Sequence, residues 1–145
     1  MKNAKYIVGI DFGTTNSAVA YAEMVENTDG AENQDVKVLE IQQLVNDAEL
    51  KALKTLPSFC YIPEKNEFER ENIALPWEKK MKHIVGTFAR KIGENTPQKL
   101  ISSAKSWLCH EGVDRKSRIL PWGNENKSDR ISPVEAITNL SLIHI

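Results

Sequence analysis

Apolar and polar positions follow several different rhythms along the chain. Tyr6-Ile7-Val8-Gly9-Ile10 is an unbroken apolar run, the pattern of a strand buried on both faces and therefore central in its sheet. Ser17–Ala22 reads as a second strand, joined to the first by the tight turn Gly13-Thr14-Thr15. Residues Glu26–Asp35 are acidic, rich in Asn and almost free of apolar side chains, which predicts a surface loop. Val36–Ile41 reads as a third strand, so the chain opens as a β-meander. Leu56–Pro63 predicts a further strand bracketed by Pro57 and Pro63; proline cannot donate to a ladder, which points to an edge.

The rhythm then lengthens. Trp77, Met81, Ile84, Val85, Phe88 and Ile92 recur at helical spacing and predict one apolar stripe ending at a C-cap, Gly93. Thr96-Pro97 reads as an N-cap followed by proline in the first turn. The helix it opens has Leu100, Ile101, Ala104, Trp107 and Leu108 as its apolar face and stops by Gly112. Lys105 falls on the flank of that face. Arg118–Trp122 is a short extended piece, and Ser132-Pro133-Val134-Glu135 is a capping box opening a last helix. Trp77, Trp107 and Trp122 read as core residues.

Composition narrows the class. The 145 residues suit one ordinary domain, and the net charge of −1 argues against a nucleic-acid partner, which would need clustered Lys and Arg. The Lys79-Lys80-Met81-Lys82 run reads as a solvated helix face. Cys60 and Cys109 stand far apart, without the spacing of a disulfide framework or zinc site, and His83 and His110 lack partners at ligand spacing. No apolar run approaches the roughly 20 residues of a membrane span. These features predict a cytoplasmic protein with no membrane partner.

The chemistry concentrates in Asp11-Phe12-Gly13-Thr14-Thr15-Asn16-Ser17. Taken bare, Gly-Thr-Thr is a plain β-turn. Between an apolar strand and a small-residue strand it offers consecutive backbone N–H groups and two hydroxyls, an anion-binding concavity suited to a triphosphate. Gly13 permits close approach and a positive φ. Asp11, at the strand end, would repel phosphates unless a cation lay between them; Mg²⁺ held through its water shell resolves that repulsion.

Ile7–Ala20 resembles the opening of the DnaK-type seventy-kilodalton heat-shock chaperone family, whose nucleotide-binding domain belongs to the actin, hexokinase and chaperone superfamily. Thr55-Leu56-Pro57-Ser58-Phe59 resembles that family's Thr-Pro-Ser strand, and Ser103–Leu108 resembles the segment bearing its catalytic lysine. The resemblance spans residues 5 to about 139. It implies an α/β chain with an actin-like ATPase (ribonuclease-H-like) fold, here the first-lobe β-meander plus the helical part of the second subdomain. It implies ATP/ADP and Mg²⁺ as cofactors: Asp11 on the Mg²⁺ hydration shell, Gly13, Thr14, Thr15 and Asn16 around the β- and γ-phosphates, and Lys105 at the γ-phosphate, orienting the attacking water. By residue type alone Lys105 reads as a solvated helix lysine. The family usually has a second cation after the lysine; Ser106 stands there, and Cys109-His110 replaces a more usual Gly.

The implied function is the ATP-binding and ATP-hydrolysing domain of a molecular chaperone that assists protein folding. Unfolded clients and co-chaperones would engage regions outside this sequence. The alternative is a sugar-kinase-type phosphotransferase of the same superfamily; Phe12, Asn16-Ser17 and Pro57-Ser58 favour the chaperone side. A filament-forming actin-like protein is a third reading. The second phosphate loop and adenosine pocket of the family do not occur within these residues. Residues 1–139 are therefore expected to be the N-terminal part of the domain, with little ATPase activity alone. Leu140–Ile145 match one reading frame of a transposon-end sequencing adapter and are expected to be adapter-derived; the alternative is that they continue the helix begun at Pro133.

Overall fold

The computed structural model describes residues 4–24 and 35–141. The elements in chain order are β1 (Tyr6–Phe12), β2 (Asn16–Glu23), β3 (Lys37–Val38), β4 (Ile41–Asn46), β5 (Glu49–Leu53), β6 (Leu56–Pro57), β7 (Phe59–Tyr61), α1 (Arg70–Ile73), β8 (Ile84–Val85), α2 (Thr87–Gly93), β9 (Leu100–Ser102), α3 (Ala104–Leu108) and α4 (Pro133–Ser141). The chain is thus mixed α/β, built on small antiparallel sheets.

The first sheet runs β1-β2-β3, with β6 also paired to β2. The β1–β2 ladder is regular from Tyr6↔Glu23 to Phe12↔Ser17. The meander expected from the pattern is therefore present, but among the described residues β1 lies at the edge of its sheet and not at its centre. Among the described residues it pairs only with β2, and Tyr6, Ile7, Val8 and Ile10 are 50–57 % exposed. An apolar run shows that both faces can be buried; it does not supply the elements that bury them. The third predicted strand is also divided: β3 closes the first sheet, and Ile41 begins a separate hairpin, β4–β5. Of the predicted acidic loop, only Asp35 is among the described residues.

The predicted Leu56–Pro63 strand breaks at Ser58. Leu56-Pro57 pairs with β2, and Phe59–Tyr61 becomes the middle strand of a second sheet, β8-β7-β9. The stripe from Trp77 to Ile92 is helical only over α2. Ile84 and Val85 pair with Tyr61 and Cys60 instead, and Gly86 (φ +83°) turns the chain into the helix. β-Branched residues beside an open strand edge favour that pairing over a helical turn. The residues of the following predicted helix divide likewise. Pro97–Lys99 forms a 3₁₀ turn, Leu100–Ser102 pairs with β7, and only Ala104–Leu108 is α-helical. Thr96 is no side-chain cap: the single proton of its hydroxyl is within donating distance of the Ile92 carbonyl (3.0 Å) and of Tyr61 Oη (3.1 Å). At the last helix the Ser132 hydroxyl accepts from Glu135 N at 3.1 Å, half of the expected capping box. Leu140 and Ser141 complete α4, with Leu140 buried; residues 142–145 lie outside the described part.

The main core lies between the second sheet and α2 and α4. It includes Leu44, Cys60, Tyr61, Ile84, Phe88, Ile101 and Leu140. Val19, Ile41 and Leu56 form a small separate cluster under the first sheet. Buried Gln43 ties the parts together: its Nε2 donates to the Thr55 carbonyl, and its Oε1 accepts from Thr87 N and Thr87 Oγ1. Gly93 lacks a side chain for reasons of space, since a Cβ there would lie 2.5 Å from Leu100 Cδ1. Two of the three tryptophans are not core: Trp77 and Trp122 are 51 % and 63 % exposed, whereas Trp107 is part-buried, packs against the main core and stacks on Trp122 with ring centroids 5.1 Å apart. Lys79, Lys80 and Lys82 are solvated, but on an irregular segment, not a helix.

Candidate functional site

The loop Gly13–Asn16 lies between the paired residues Phe12 and Ser17. Its shape depends on the absence of a side chain at Gly13. A Cβ built there would meet the Asn16 carbonyl oxygen at 2.2 Å, far inside contact distance. The expected positive φ is not what Gly13 provides; Gly86 is the described glycine with that conformation. Thr14, Thr15 and Asn16 are exposed, as is Asp11, whereas Phe12 is part-buried and packs against the main core. The loop is therefore anchored at its base and open at its tip.

Ser58 braces it from behind. The residue is buried at the point where the chain leaves β6 for β7. Its hydroxyl donates to the Gly13 carbonyl at 2.8 Å, its N–H donates to the Thr15 carbonyl at 2.8 Å, and its Oγ is 3.5 Å from Ser17 Oγ. In a planar trans peptide the C=O and the following N–H point in opposite directions. With the Gly13 and Thr15 carbonyls drawn toward Ser58, the N–H groups of Thr14 and Asn16 are turned away from it. Ser58 thus orients two of the loop's peptides, with the Gly13 and Thr15 carbonyls toward it and the Thr14 and Asn16 amides away from it. That is the orientation an anion requires. The role of Ser58 was not legible as chemistry. Its signal was the Pro57-Ser58 pair, whose proline breaks the ladder and lets the strand change sheets.

Lys105 reaches the same place from the other end of the chain. Ser103, in the left-handed region at φ 55°, turns the backbone into α3, and Lys105 follows in its first turn. Its Nζ donates to the Phe12 carbonyl at 2.6 Å, across 93 residues of sequence. An ammonium carries three donors, so this bond leaves others to face the loop. Asp11 lies one residue before that carbonyl. The structure therefore brings Lys105 to the base of the loop formed by Gly13, Thr14, Thr15 and Asn16, directly after Asp11.

The residues present fit a magnesium-bound polyphosphate in kind: amides and hydroxyls, one cation at the base of the loop, and one exposed carboxylate. Among the described residues no group of three or more His, Cys, Asp or Glu could hold a metal directly. Asp11 matches the habit of Mg²⁺, which keeps most of its waters and takes one or two carboxylates.

The other titratable groups lie elsewhere. A cavity of about 660 Å³ is lined by Lys82, His83, Lys99, Arg118 and Glu135 among others, and by no residue of the loop. Burial pushes the His83 imidazole below its ordinary range, partly opposed by Glu135 and by a 2.9 Å contact between its Nδ1 and Asn139 Nδ2. Burial also raises Glu67. The Tyr61 hydroxyl (2.7 Å), the Glu64 amide and Lys99 outweigh it and hold that carboxyl below the usual range. Cys60 is fully buried and its thiol is pushed up to about 12, chiefly by that burial, so it is inert; Cys109 is exposed, and both are free. His110 Nδ1 accepts from the nearby Gly112 amide. No described helix is long and apolar enough to cross a membrane. Comparison with protein-family models, with curated proteins and with solved structures finds no match to this chain.

Proposed function

We propose that the chain provides the phosphate-gripping part of an actin-like nucleotide-binding domain, in an ATPase of the DnaK-type chaperone class. The observation that carries this reading is the Lys105 Nζ–Phe12 carbonyl bond at 2.6 Å. Two segments that resemble separate parts of that family's site, 93 residues apart, meet at one point. The third such segment supplies Ser58, which holds the loop between them.

In this proposal the amides of Thr14 and Asn16, with the Thr14 and Thr15 hydroxyls, grip the β- and γ-phosphates. Lys105 offsets the charge that builds on the terminal phosphoryl as it departs. Asp11 holds the water shell of Mg²⁺. Bound there, Mg²⁺ would supply positive charge that offsets part of the repulsion between Asp11 and the phosphates. The tip of the loop is exposed, so a nucleotide here is solvated on one side. Electrostatic assistance weakens in such a site, because it depends on excluded water. The 145-residue chain alone is therefore expected to bind Mg·ATP weakly and turn it over little. Calorimetric titration tests this: Mg·ATP should bind more tightly than Mg·ADP, and AMP should not bind detectably. Equal affinity for AMP would remove the phosphate loop from the account.

A further inference from the structure

We infer that Ser103 is a positioning residue for Lys105: its left-handed backbone conformation, and not its hydroxyl, aims the lysine at the base of the Gly13–Asn16 loop. Three observations carry the inference. The first is that Ser103 departs from the usual habit of its position. A serine directly before a helix normally has an extended backbone and caps the helix with its hydroxyl. Ser103 has φ 55° and ψ 34°, and its side chain makes no capping bond. A left-handed conformation is uncommon for a residue with a Cβ and persists only where the surroundings over-determine it.

The second observation is what over-determines it. β9 pairs with β7, and its Ile101 lies opposite Cys60 and is buried in the main core. Ala104 is buried in the same core. Side chains alternate along a strand, so in a continued strand Ala104 would fall on the face opposite to Ile101. A helix begun at Ile101 would bring both to one side but would take β9 out of the sheet. One left-handed residue between them keeps the ladder and both buried side chains. The Ser103 carbonyl accepts from Ser106 N at 2.9 Å, so the helical turn begins at this residue.

The third is where the turn delivers the next side chain. With Ala104 seated in the core, Lys105 is exposed, and its Nζ reaches the Phe12 carbonyl at 2.6 Å. Ile101 and Ala104 fix the two ends of the turn. The backbone angles at Ser103 therefore decide the direction in which α3, and the lysine on it, leaves β9.

The positioning stands on this geometry; its effect on nucleotide binding rests on the function proposed above. Two readouts on the 145-residue chain keep them apart. Nuclear Overhauser effects from the Lys105 ε-protons to Phe12 and Gly13, without nucleotide, report where the lysine is. Titration with Mg·ATP reports its use. Glycine and asparagine tolerate the left-handed region, whereas a β-branched residue does not. Ser103→Gly and Ser103→Asn should keep the Overhauser contacts and hold the affinity within about twofold. Ser103→Val should lose the contacts and weaken Mg·ATP binding roughly tenfold, as Lys105→Met does. Ser103→Ala should do the same to a smaller degree and takes its place if the valine variant does not fold. On a Lys105→Met background Ser103→Val should lower the affinity no further, an outcome that a general loosening of the fold would not give. Contacts that survive Ser103→Val with a native circular dichroism spectrum would overturn the inference. So would their loss in Ser103→Gly, or a further drop in affinity in the double variant. A chain that shows the contacts and their dependence on Ser103, but binds no Mg·ATP, would sink the nucleotide reading and uphold the positioning.

Discussion

Beneath the first sheet, the buried apolar packing among the described residues is one small cluster: Val19, Ile41 and Leu56. Beneath the second, α2 and α4 enclose a cluster that runs from Leu44 to Leu140 and takes in most of the buried side chains. The two regions are joined by one buried amide, Gln43, and by the strand that changes sheets at Ser58. The candidate site lies on this seam. Its loop belongs to the thinly packed sheet and its lysine to the well-packed layer. The rigid layer therefore positions the cation, while the loop keeps its shape through local devices: a glycine with no room for a side chain, and a serine that holds two of its carbonyls. A site divided this way can tolerate a weak sheet, because Phe12 and Ser58 tie the loop to the stronger region.

The comparison can be broken first in the cores. Phe88→Ala removes a ring packed edge-on against Phe68 and should cost about 3–5 kcal/mol in urea unfolding. Val19→Ala, under the first sheet, should cost only about 1–2 kcal/mol. Equal losses would mean that the two regions are not packed differently. Next in size is Gly13→Ala. The new Cβ must displace the Asn16 carbonyl, at roughly 1–3 kcal/mol, and nucleotide binding should be lost with it. A variant that folds and binds normally would show that the loop shape does not depend on Gly13.

Ser58→Ala tests the seam. It removes the hydroxyl donor to the Gly13 carbonyl and should cost about 1 kcal/mol by thermal or chemical melting. Amide exchange in the loop should quicken while that of α2 stays unchanged. Acid tests the second region by itself. The Glu67 carboxyl has a native pKa below its ordinary value of 4.5. Its contribution is therefore fully present above that value and fades as pH falls through the lower native pKa. Melts followed from pH 6 to about 2 should show this loss, and Glu67→Gln should flatten that part of the profile. The smallest effect on stability is expected from Lys105→Met, within about 0.5 kcal/mol, since the side chain is exposed. The same variant should weaken Mg·ATP binding roughly tenfold, worth about 1.4 kcal/mol.

What was legible in the chain follows the same division. The β1–β2 hairpin and its loop could be read because their signals are local: an apolar run, a tight turn and a small-residue strand. The last helix was legible from Ser132 and Glu135 for the same reason. The region between Leu56 and Leu108 was not. Met81, Ile84, Val85 and Phe88 are indeed buried at helical spacing, but Ile84 and Val85 found an open strand edge at β7, and tertiary pairing overrode the period. Leu100 and Ile101 were drawn into the other edge of the same strand. Burial was thus readable, and element type was not. The exposure of β1 was invisible because a sequence pattern states what a strand could bury, not what is present to cover it. In the site, Gly13 and Lys105 were identifiable as candidates, whereas Ser58 acts through long-range bonds to Gly13, Thr15 and Ser17 that no local pattern encodes.

The central claim is that Gly13–Asn16, Ser58 and Lys105 act as one phosphate-binding unit. Its most direct test is an NMR titration of the ¹⁵N-labelled chain with Mg·ATP up to ~10 mM, a range that captures millimolar affinity. The account predicts amide shifts at Gly13, Thr14, Thr15 and Asn16, with smaller ones at Ser58 and Lys105, and their absence in Gly13→Ala. Shifts confined to the cavity lined by His83 and Arg118, or no shifts at all, would contradict it.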